Sequence, residues 1–334
     1  MSKLPTHTKV VRIHQFGAPS EVLKIEEEPL REINKGEVLI RMQAAPVHPS
    51  DINVIQGTYG IRPGLPAIVG NEGVGVIADV GEGVKNLKVG DSVRPPSGIG
   101  MWQQYLIAPE KDCLKMPANL LPEQAAMLYI NPPTAWRALH DFVHLKPGDW
   151  IIQNAANSAL GQCVIQIAKA KGWRTINLVR QQAAIAELKA IGADVVLIDN
   201  DEVPESVKDI VHDTPIRLGL NTVSGDSAIH IIDCMASSST VVTLGGLSRQ
   251  PLKIPNKYLI FQDIRFVGFW VTQWFRQADP HARDVMLEDL ANLVRQHKLK
   301  IKVQERFPLH DVVRAVELAQ KEGRKGKILL QLDA

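Results

Sequence analysis

Cysteine is scarce in this chain: 334 residues contain three, Cys113, Cys163 and Cys234. They are isolated and odd in number, and no two form a Cys-x-x-Cys pair, so the pattern offers neither a disulfide framework nor a thiolate metal site. Cys163 and Cys234 stand among apolar neighbours and read as small buried hydrophobes. Long apolar runs are also missing. None approaches the roughly 20 residues that a bilayer-spanning helix requires, and Met1–Lys9 has neither a signal-peptide core nor an Arg-rich amphipathic face. The expectation is a soluble, cytoplasmic protein with no membrane partner. Blocks of one charge are absent as well: 38 Lys and Arg nearly balance 36 Asp and Glu, for a formal charge of +2. No basic run exceeds two residues, which argues against a nucleic-acid partner.

What is present is apolar residue in quantity. A composition of 45% hydrophobic and 22% charged, in a chain this long, predicts two cores and two domains. The first 125 residues hold short bursts rich in Val, Ile, Gly and Pro: Lys9–Ile13, Glu37–Ala44, Gly73–Val80, Asp91–Val93 and Gln104–Ala108. Strands broken by turn signals in this way predict a compact β domain. Beyond about Pro122 strand and helix alternate. Strands are expected at Asp149–Ala155, Arg174–Arg180, Val195–Asp199, Arg217–Val223, Thr240–Leu244 and Arg265–Thr272, with helices over Ser158–Lys171, Ala183–Ile191, Ser227–Ala236 and Pro280–His297. Repeated βαβ units require a parallel sheet with helices on both faces, a Rossmann-type α/β domain. The tail holds a strand from Val303, a helix from His310 and a strand over Lys327–Leu332, and is more easily placed against the first domain. The expected division is residues 1–125 with 301–334, and residues 126–300.

A Rossmann site puts pyrophosphate at the N-terminus of the helix after the first strand, usually over a glycine turn. Here the turn reads Asn154-Ala155-Ala156-Asn157-Ser158-Ala159-Leu160-Gly161, with Gly161 alone retained. Small residues would still let a phosphate approach, and Asn157 or Ser158 could cap the helix; an ordinary capped turn without a ligand is the other reading. The second strand ends Asn177-Leu178-Val179-Arg180, with no carboxylate until Glu187. An acidic residue there would bind the ribose hydroxyls of NAD, whereas Arg can pair with a 2′-phosphate, so NADPH is favoured. The turns Thr222-Val223-Ser224-Gly225 and Leu244-Gly245-Gly246-Leu247 fall at later strand ends, where nicotinamide contacts belong.

Gly70-Asn71-Glu72-Gly73-Val74-Gly75, Lys88-Val89-Gly90-Asp91-Ser92-Val93 and Leu145-Lys146-Pro147-Gly148-Asp149 resemble motifs of the medium-chain dehydrogenase/reductases. The resemblance covers essentially the whole chain. It implies a GroES-like catalytic domain completed by the C-terminal tail, an inserted Rossmann domain and a substrate cleft between them. Other stretches are similar to the mitochondrial-type 2-enoyl thioester reductases: residues 50–60, ending Ile55-Gln56-Gly57-Thr58-Tyr59-Gly60, then Asn131-Pro132-Pro133-Thr134-Ala135, Gln153 to Ser158, and Gly268 to Trp274. The eroded glycine turn is itself similar to that branch. Ala159 departs from it, standing where Gly is frequent, and Gln181 and Gln182 stand where charged residues are usual. Zinc-dependent relatives ligate their ion through Cys and His, but Gly70-Asn71-Glu72 occupies the Gly-His-Glu position and Val93–Leu106 has no Cys cluster. His48 and Glu72 alone do not make a set of three ligands, so no metal is expected.

The resemblance implies NADPH-dependent reduction of the 2,3 double bond of a 2-enoyl thioester carried by coenzyme A or acyl carrier protein. Tyr59 would stabilise the developing enolate and supply a proton; read without the family it is an ordinary loop aromatic. Asn131 would lie near the nicotinamide, lined by Leu244, Gly245, Gly246 and Leu247. Asn157, Ser158, Ala159 and Leu160 would face phosphate, and Arg180, with Gln181 and Gln182 beside it, the 2′-phosphate. Phe269, Trp270 and Val271 would contact the cofactor and wall the acyl pocket, although Trp270 and Trp274 also fit simple packing or a dimer edge. Lys327 is a further cofactor candidate. Phe266–Trp274, read as the last strand of the sheet, would offer an edge for a homodimer. Two other readings stay open: a quinone or general enone reductase on the same scaffold, which does not need Tyr59, and a non-catalytic NADPH-binding protein.

Overall fold

The computed structural model describes residues 5–333. The first four residues of Met1–Lys9, read above for targeting signals, lie outside them. The chain divides into two compact units, one of residues up to Tyr129 together with those from Ile301 onward, the other Ile130–Lys300.

The first unit is built on β-sheet. His7–Ile13 pairs antiparallel with Lys24–Pro29 and with Ala67–Ile68. The larger sheet is centred on Glu37–Pro46, which pairs antiparallel with Val74–Val80, Tyr105–Pro109 and the C-terminal strand Lys327–Gln331. Val303–Pro308 adds to that last strand in parallel, while Ser92–Arg94 and Leu114–Lys115 extend the opposite edge. The core comes from both ends of the sequence: Val38, Ile40, Met42 and Ile77 join Phe307, Val316, Ile328 and Leu330 in one buried cluster. Burying these side chains fully contributes about 1.5–3 kcal/mol each before entropy is subtracted, so the tail is part of the unit's stability. The helix Pro49–Ile55 starts at N-cap His48 with Pro49 at N1 and presents Ile52 and Ile55 to this core.

The second unit carries six parallel strands in the spatial order Val195–Ile198, Arg174–Val179, Trp150–Gln153, Leu218–Asn221, Thr240–Thr243 and Arg265–Gly268. Numbered by sequence this is 3-2-1-4-5-6, the doubly wound order whose switch point lies between the first and fourth strands. Trp150–Gln153 is buried along its whole length, as a strand covered on both faces must be. The helix Ala159–Lys171 begins at Ser158, whose Oγ accepts Gly161 N at 3.1 Å, and ends at Gly172 in the left-handed region.

The chain departs from the expected elements in several places. The last strand does not run to Thr272: it ends at Gly268, and Val271–Gln277 is a helix. Its ladder partner Thr240–Thr243 stops at the Gly245-Gly246 turn, so beyond Phe269 N, which reaches Thr243 O, no partner exists, and Trp270 O accepts Gln273 N and Trp274 N instead. Of the run that suggested a strand, Trp270 is the N-cap of this helix, and Val271 and Thr272 lie in its first turn. A helix over Val203–Val211, with Val203, Val207 and Val211 buried at intervals of four, fills a stretch left unassigned. So does Asn131–His140, which opens on two prolines that fit the first helical turn. No helix among the described residues is long and apolar enough to cross a membrane.

Candidate active site

Tyr59 stands on a loop fixed by the helix before it. At the start of Pro49–Ile55, Asp51 accepts His48 N at 2.7 Å, a capping box that satisfies an orphan donor. At its end Gly57 takes φ +70, and a Cβ there would meet the Phe16 ring at 2.9 Å, so only glycine fits this turn. The chain then folds back: Thr58 N and Tyr59 N both donate to Asn53 O, at 2.8 and 3.1 Å. Tyr59 is half-buried.

Behind this helix lies a buried ionic network. His48 Nε2 is 2.6 Å from Glu72 Oε2, and His48 Nδ1 is 2.8 Å from Lys327 Nζ. An ammonium only donates, so Lys327 Nζ faces Nδ1 as the donor, and Nε2 faces the Glu72 carboxylate. Glu72 Oε1 accepts Tyr129 N at 2.7 Å, and Lys327 Nζ also reaches Val47 O at 3.2 Å. Asp51 Oδ1 accepts both Asn71 N and Asn71 Nδ2, at 3.0 and 2.7 Å. Arg94 stacks on the Tyr129 ring, 3.6 Å from its centroid. Two cations, Lys327 and Arg94, thus balance two carboxylates, Glu72 and Asp51, which is what lets four buried charges coexist. Burial pushes the Asp51 carboxyl above its ordinary value, against the charge and backbone N–H of His48, the charge of Lys327 and the backbone N–H of Asn71. Burial likewise lowers Arg94, against the pull of Tyr129 and Glu72.

The cofactor candidates of the second unit gather at the carboxyl ends of its strands, with Asn131 at the start of the helix Asn131–His140. In the first turn Ala155 holds φ +47, a conformation glycine would adopt without cost, and Ala156 is fully buried. Gly161 is required: a Cβ would stand 2.6 Å from the Cα and O of Ala156, jamming helix against turn. Asn157 is exposed, and Ser158, Ala159 and Leu160 are half-buried at the helix N-terminus, where N–H groups and the dipole favour phosphate. Arg180, Gln181 and Gln182 are exposed at the end of the second strand. The two later turns are joined, Leu244 N to Asn221 O at 2.7 Å and Leu247 N to Thr222 O at 3.0 Å, which aligns Gly245 and Gly246 over the sheet end. Trp270 is exposed and Val271 buried, while Phe269 meets Phe142 edge-on at 6.0 Å. This cradle fits a dinucleotide. Lys327 belongs to the first unit, where its Nζ reaches His48 Nδ1 and Val47 O.

Sequence reasoning missed the polar scaffold under the cradle. Asn154 Oδ1 accepts Thr222 N at 2.7 Å, and its Nδ2 reaches Asn221 Oδ1 at 3.0 Å and Ser227 Oγ at 2.9 Å. Asn221 Oδ1 also accepts Ser224 N. The available signal was polar residues ending otherwise apolar strands, at Asn154 and Asn221. Metal ligands are a different matter. Among the described residues no group of three His, Cys, Asp or Glu could hold an ion, and the two ring nitrogens of His48 are taken by Lys327 and Glu72.

A 3-2-1-4-5-6 parallel sheet with this cradle, in a chain that also folds a β-unit of GroES type, defines a dinucleotide-binding oxidoreductase of the alcohol-dehydrogenase kind. Residues 34–118 match the alcohol dehydrogenase GroES-like domain, and residues 159–288 match the zinc-binding dehydrogenase family. The chain belongs to the enoyl-[acyl-carrier-protein] reductase family: it is 40% identical to the mitochondrial enoyl-[acyl-carrier-protein] reductase of Rattus norvegicus over 323 residues, 95% of this chain and 87% of that one. Among solved structures it is similar to Etr1p in complex with NADP and crotonyl-CoA, with TM-score 0.90 at 28% identity over 97% of this chain and 99% of the other. A Bacillus thuringiensis protein described as an NADPH:quinone reductase also has TM-score 0.90, at 28% identity over 98% and 99% of the two chains.

Proposed function

We propose that this chain reduces the 2,3 double bond of 2-enoyl thioesters with NADPH, without a metal ion. When bound, NADPH supplies a hydride to the β-carbon of the enoyl group. Negative charge then moves onto the thioester oxygen, and the protein must stabilise it. Tyr59 takes that role, its hydroxyl donating to the oxygen while a proton is delivered to the α-carbon. The observation that carries this reading is the fixed position of Tyr59, on a loop tied back to Asn53 beside a charge-balanced network. Ser158 and the following N–H groups would hold the pyrophosphate, Arg180 the 2′-phosphate, and the paired glycine turns the nicotinamide end. The acyl carrier is coenzyme A or acyl carrier protein.

The likeness to the Bacillus thuringiensis protein favours a second reading, quinone reduction on the same cradle. One assay separates them: NADPH oxidation followed by absorbance with crotonyl-CoA and with a quinone. Turnover of crotonyl-CoA is expected; quinone reduction with no crotonyl-CoA turnover would sink the first reading.

We also propose a homodimer. The strand Arg265–Gly268 is the outer strand of its sheet, and beside it Leu259, Ile260 and Phe261 are 47, 68 and 82% exposed. An edge next to exposed apolar side chains is suited to a second copy of itself across a two-fold axis.

A further inference from the structure

The carboxyl ends of the second and third strands of the parallel sheet set Arg180 and Asp199 beside each other. Val179 and Ile198 are the last registered pair of these strands, Arg180 and Asp199 come next, and Asp199 N donates to Val179 O at 2.9 Å. The Asp199 side chain, only 8% exposed, accepts Ser227 Oγ at 2.5 Å and lies 2.6 Å from His230 Nδ1. The other ring nitrogen of His230, Nε2, lies 3.1 Å from Asp201 Oδ1. Neutral imidazole has one N–H, whereas imidazolium donates from both nitrogens, so only the charged ring satisfies the two carboxylates together. Ser227 Oγ in turn accepts Asn154 Nδ2, so the same carboxylate also anchors the first residue of the cofactor turn. Hydride transfer and protonation make no use of this cluster.

A carboxylate next to an arginine that holds a 2′-phosphate is adverse. Neighbouring strands are about 4.8 Å apart, close enough for an uncompensated Asp199 both to repel the phosphate and to compete for the guanidinium. We propose that His230 and Asp199 form a charge-compensating pair that sets how strongly this unit prefers the phosphate-bearing dinucleotide. With His230 charged, the carboxylate of Asp199 beside Arg180 is compensated. Loss of that proton weakens NADPH and leaves NADH, which has no 2′-phosphate, unchanged. The inference rests on the assignment of Arg180 to the 2′-phosphate.

Burial works against a charge on His230, but hydrogen bonds to Asp199 and Asp201 and their charges outweigh it and hold the ring above the usual histidine range. The imidazolium is therefore present at lower pH and is lost as pH rises through that raised value. His230 shares its helix, Asp226–Asp233, with Asp226 and Asp233. The helix Val203–Val211 packed against it carries Glu205, Lys208 and Asp209, and the strand Leu218–Asn221 beneath it carries no titratable group. Of these surroundings, Asp199 and Asp201 are the two groups that raise the ring.

Direct binding tests the pair. NADPH and NADH are titrated by fluorescence between pH 6.5 and 9 against the wild type, His230→Gln, Asp199→Asn and Arg180→Ala, each checked by circular dichroism. Comparing variants at each pH removes the residual titration of the 2′-phosphate itself. The wild type should lose about three- to tenfold of its NADPH-over-NADH preference across the range. His230→Gln, which keeps a donor for Asp199 without the charge, should show the high-pH preference throughout, and Asp199→Asn should stay at the low-pH preference. A His230→Gln profile that follows the wild type overturns the proposal, whether or not Asp199→Asn folds. An Arg180→Ala preference equal to the wild type's instead overturns the assignment of Arg180 beneath it.

Discussion

Lys327 Nζ and His48 Nδ1 lie 2.8 Å apart inside the first unit, joining its C-terminal strand to the residue that caps the helix leading to Tyr59. Lys327 is 5% exposed, so the ammonium is one of the two cations that offset the buried Glu72 and Asp51. Lys327→Met should lower stability by about 3 kcal/mol, the cost of leaving buried charge uncompensated. Thermal unfolding measures it, and an unchanged midpoint would show that the network contributes no net stability. A folded Lys327→Met whose main defect is NADPH affinity would support the cofactor role expected from sequence.

Arg180 stands exposed after the second strand, with no carboxylate at the position where NAD-binding relatives of this fold carry one. Arg180→Ala should weaken NADPH roughly tenfold or more and leave NADH nearly unaffected, because a charge-assisted bond to phosphate is lost from one cofactor alone. Equal weakening of both would remove Arg180 from the 2′-phosphate.

Gly161→Ala places a methyl group 2.6 Å from backbone atoms of Ala156, which have no rotamer to escape into. The turn or the helix must shift. A loss of about 1–3 kcal/mol is expected, together with weaker binding of both cofactors, since the N–H groups of the helix start move with it. Equilibrium unfolding and titration with each cofactor check the two halves separately, and normal values for both would mean that the turn yields without cost.

The alternation of strand and helix after Trp150 was legible because buried parallel strands are apolar along their length while the helices between them carry an apolar stripe. The cradle was legible by position, although its glycines are largely gone: Ala155 adopts a positive φ that the generic motif would give to glycine. The helix Val271–Gln277 was not legible, because Val271-Thr272-Gln273-Trp274 has strand-like composition and its fate depends on where Thr240–Thr243 stops. The networks around Lys327 and Asp199 were hidden for a similar reason. They join residues 279 and 31 positions apart, and nothing local to either residue marks its partner.

The outer strand Arg265–Gly268 and exposed Phe261 make association testable. Light scattering at micromolar concentration should give twice the chain mass, and Phe261→Asp should shift it toward the monomer. A monomeric wild type would remove the homodimer.

Tyr59→Phe separates the catalytic reading from the others. The substitution keeps the ring, and the bonds from Thr58 N and Tyr59 N to Asn53 O involve only backbone, so the loop should hold its conformation. Only the hydroxyl is lost. If it stabilises the charge on the thioester oxygen, kcat for crotonyl-CoA should fall about 10- to 1000-fold. NADPH affinity should stay within error, because the cofactor cradle belongs to the other unit. Loss confined to kcat marks an interaction made in the transition state. Near-normal turnover would refute the role of Tyr59, and an equal loss of NADPH binding would make Tyr59 a cofactor or structural residue and bring the quinone reading forward.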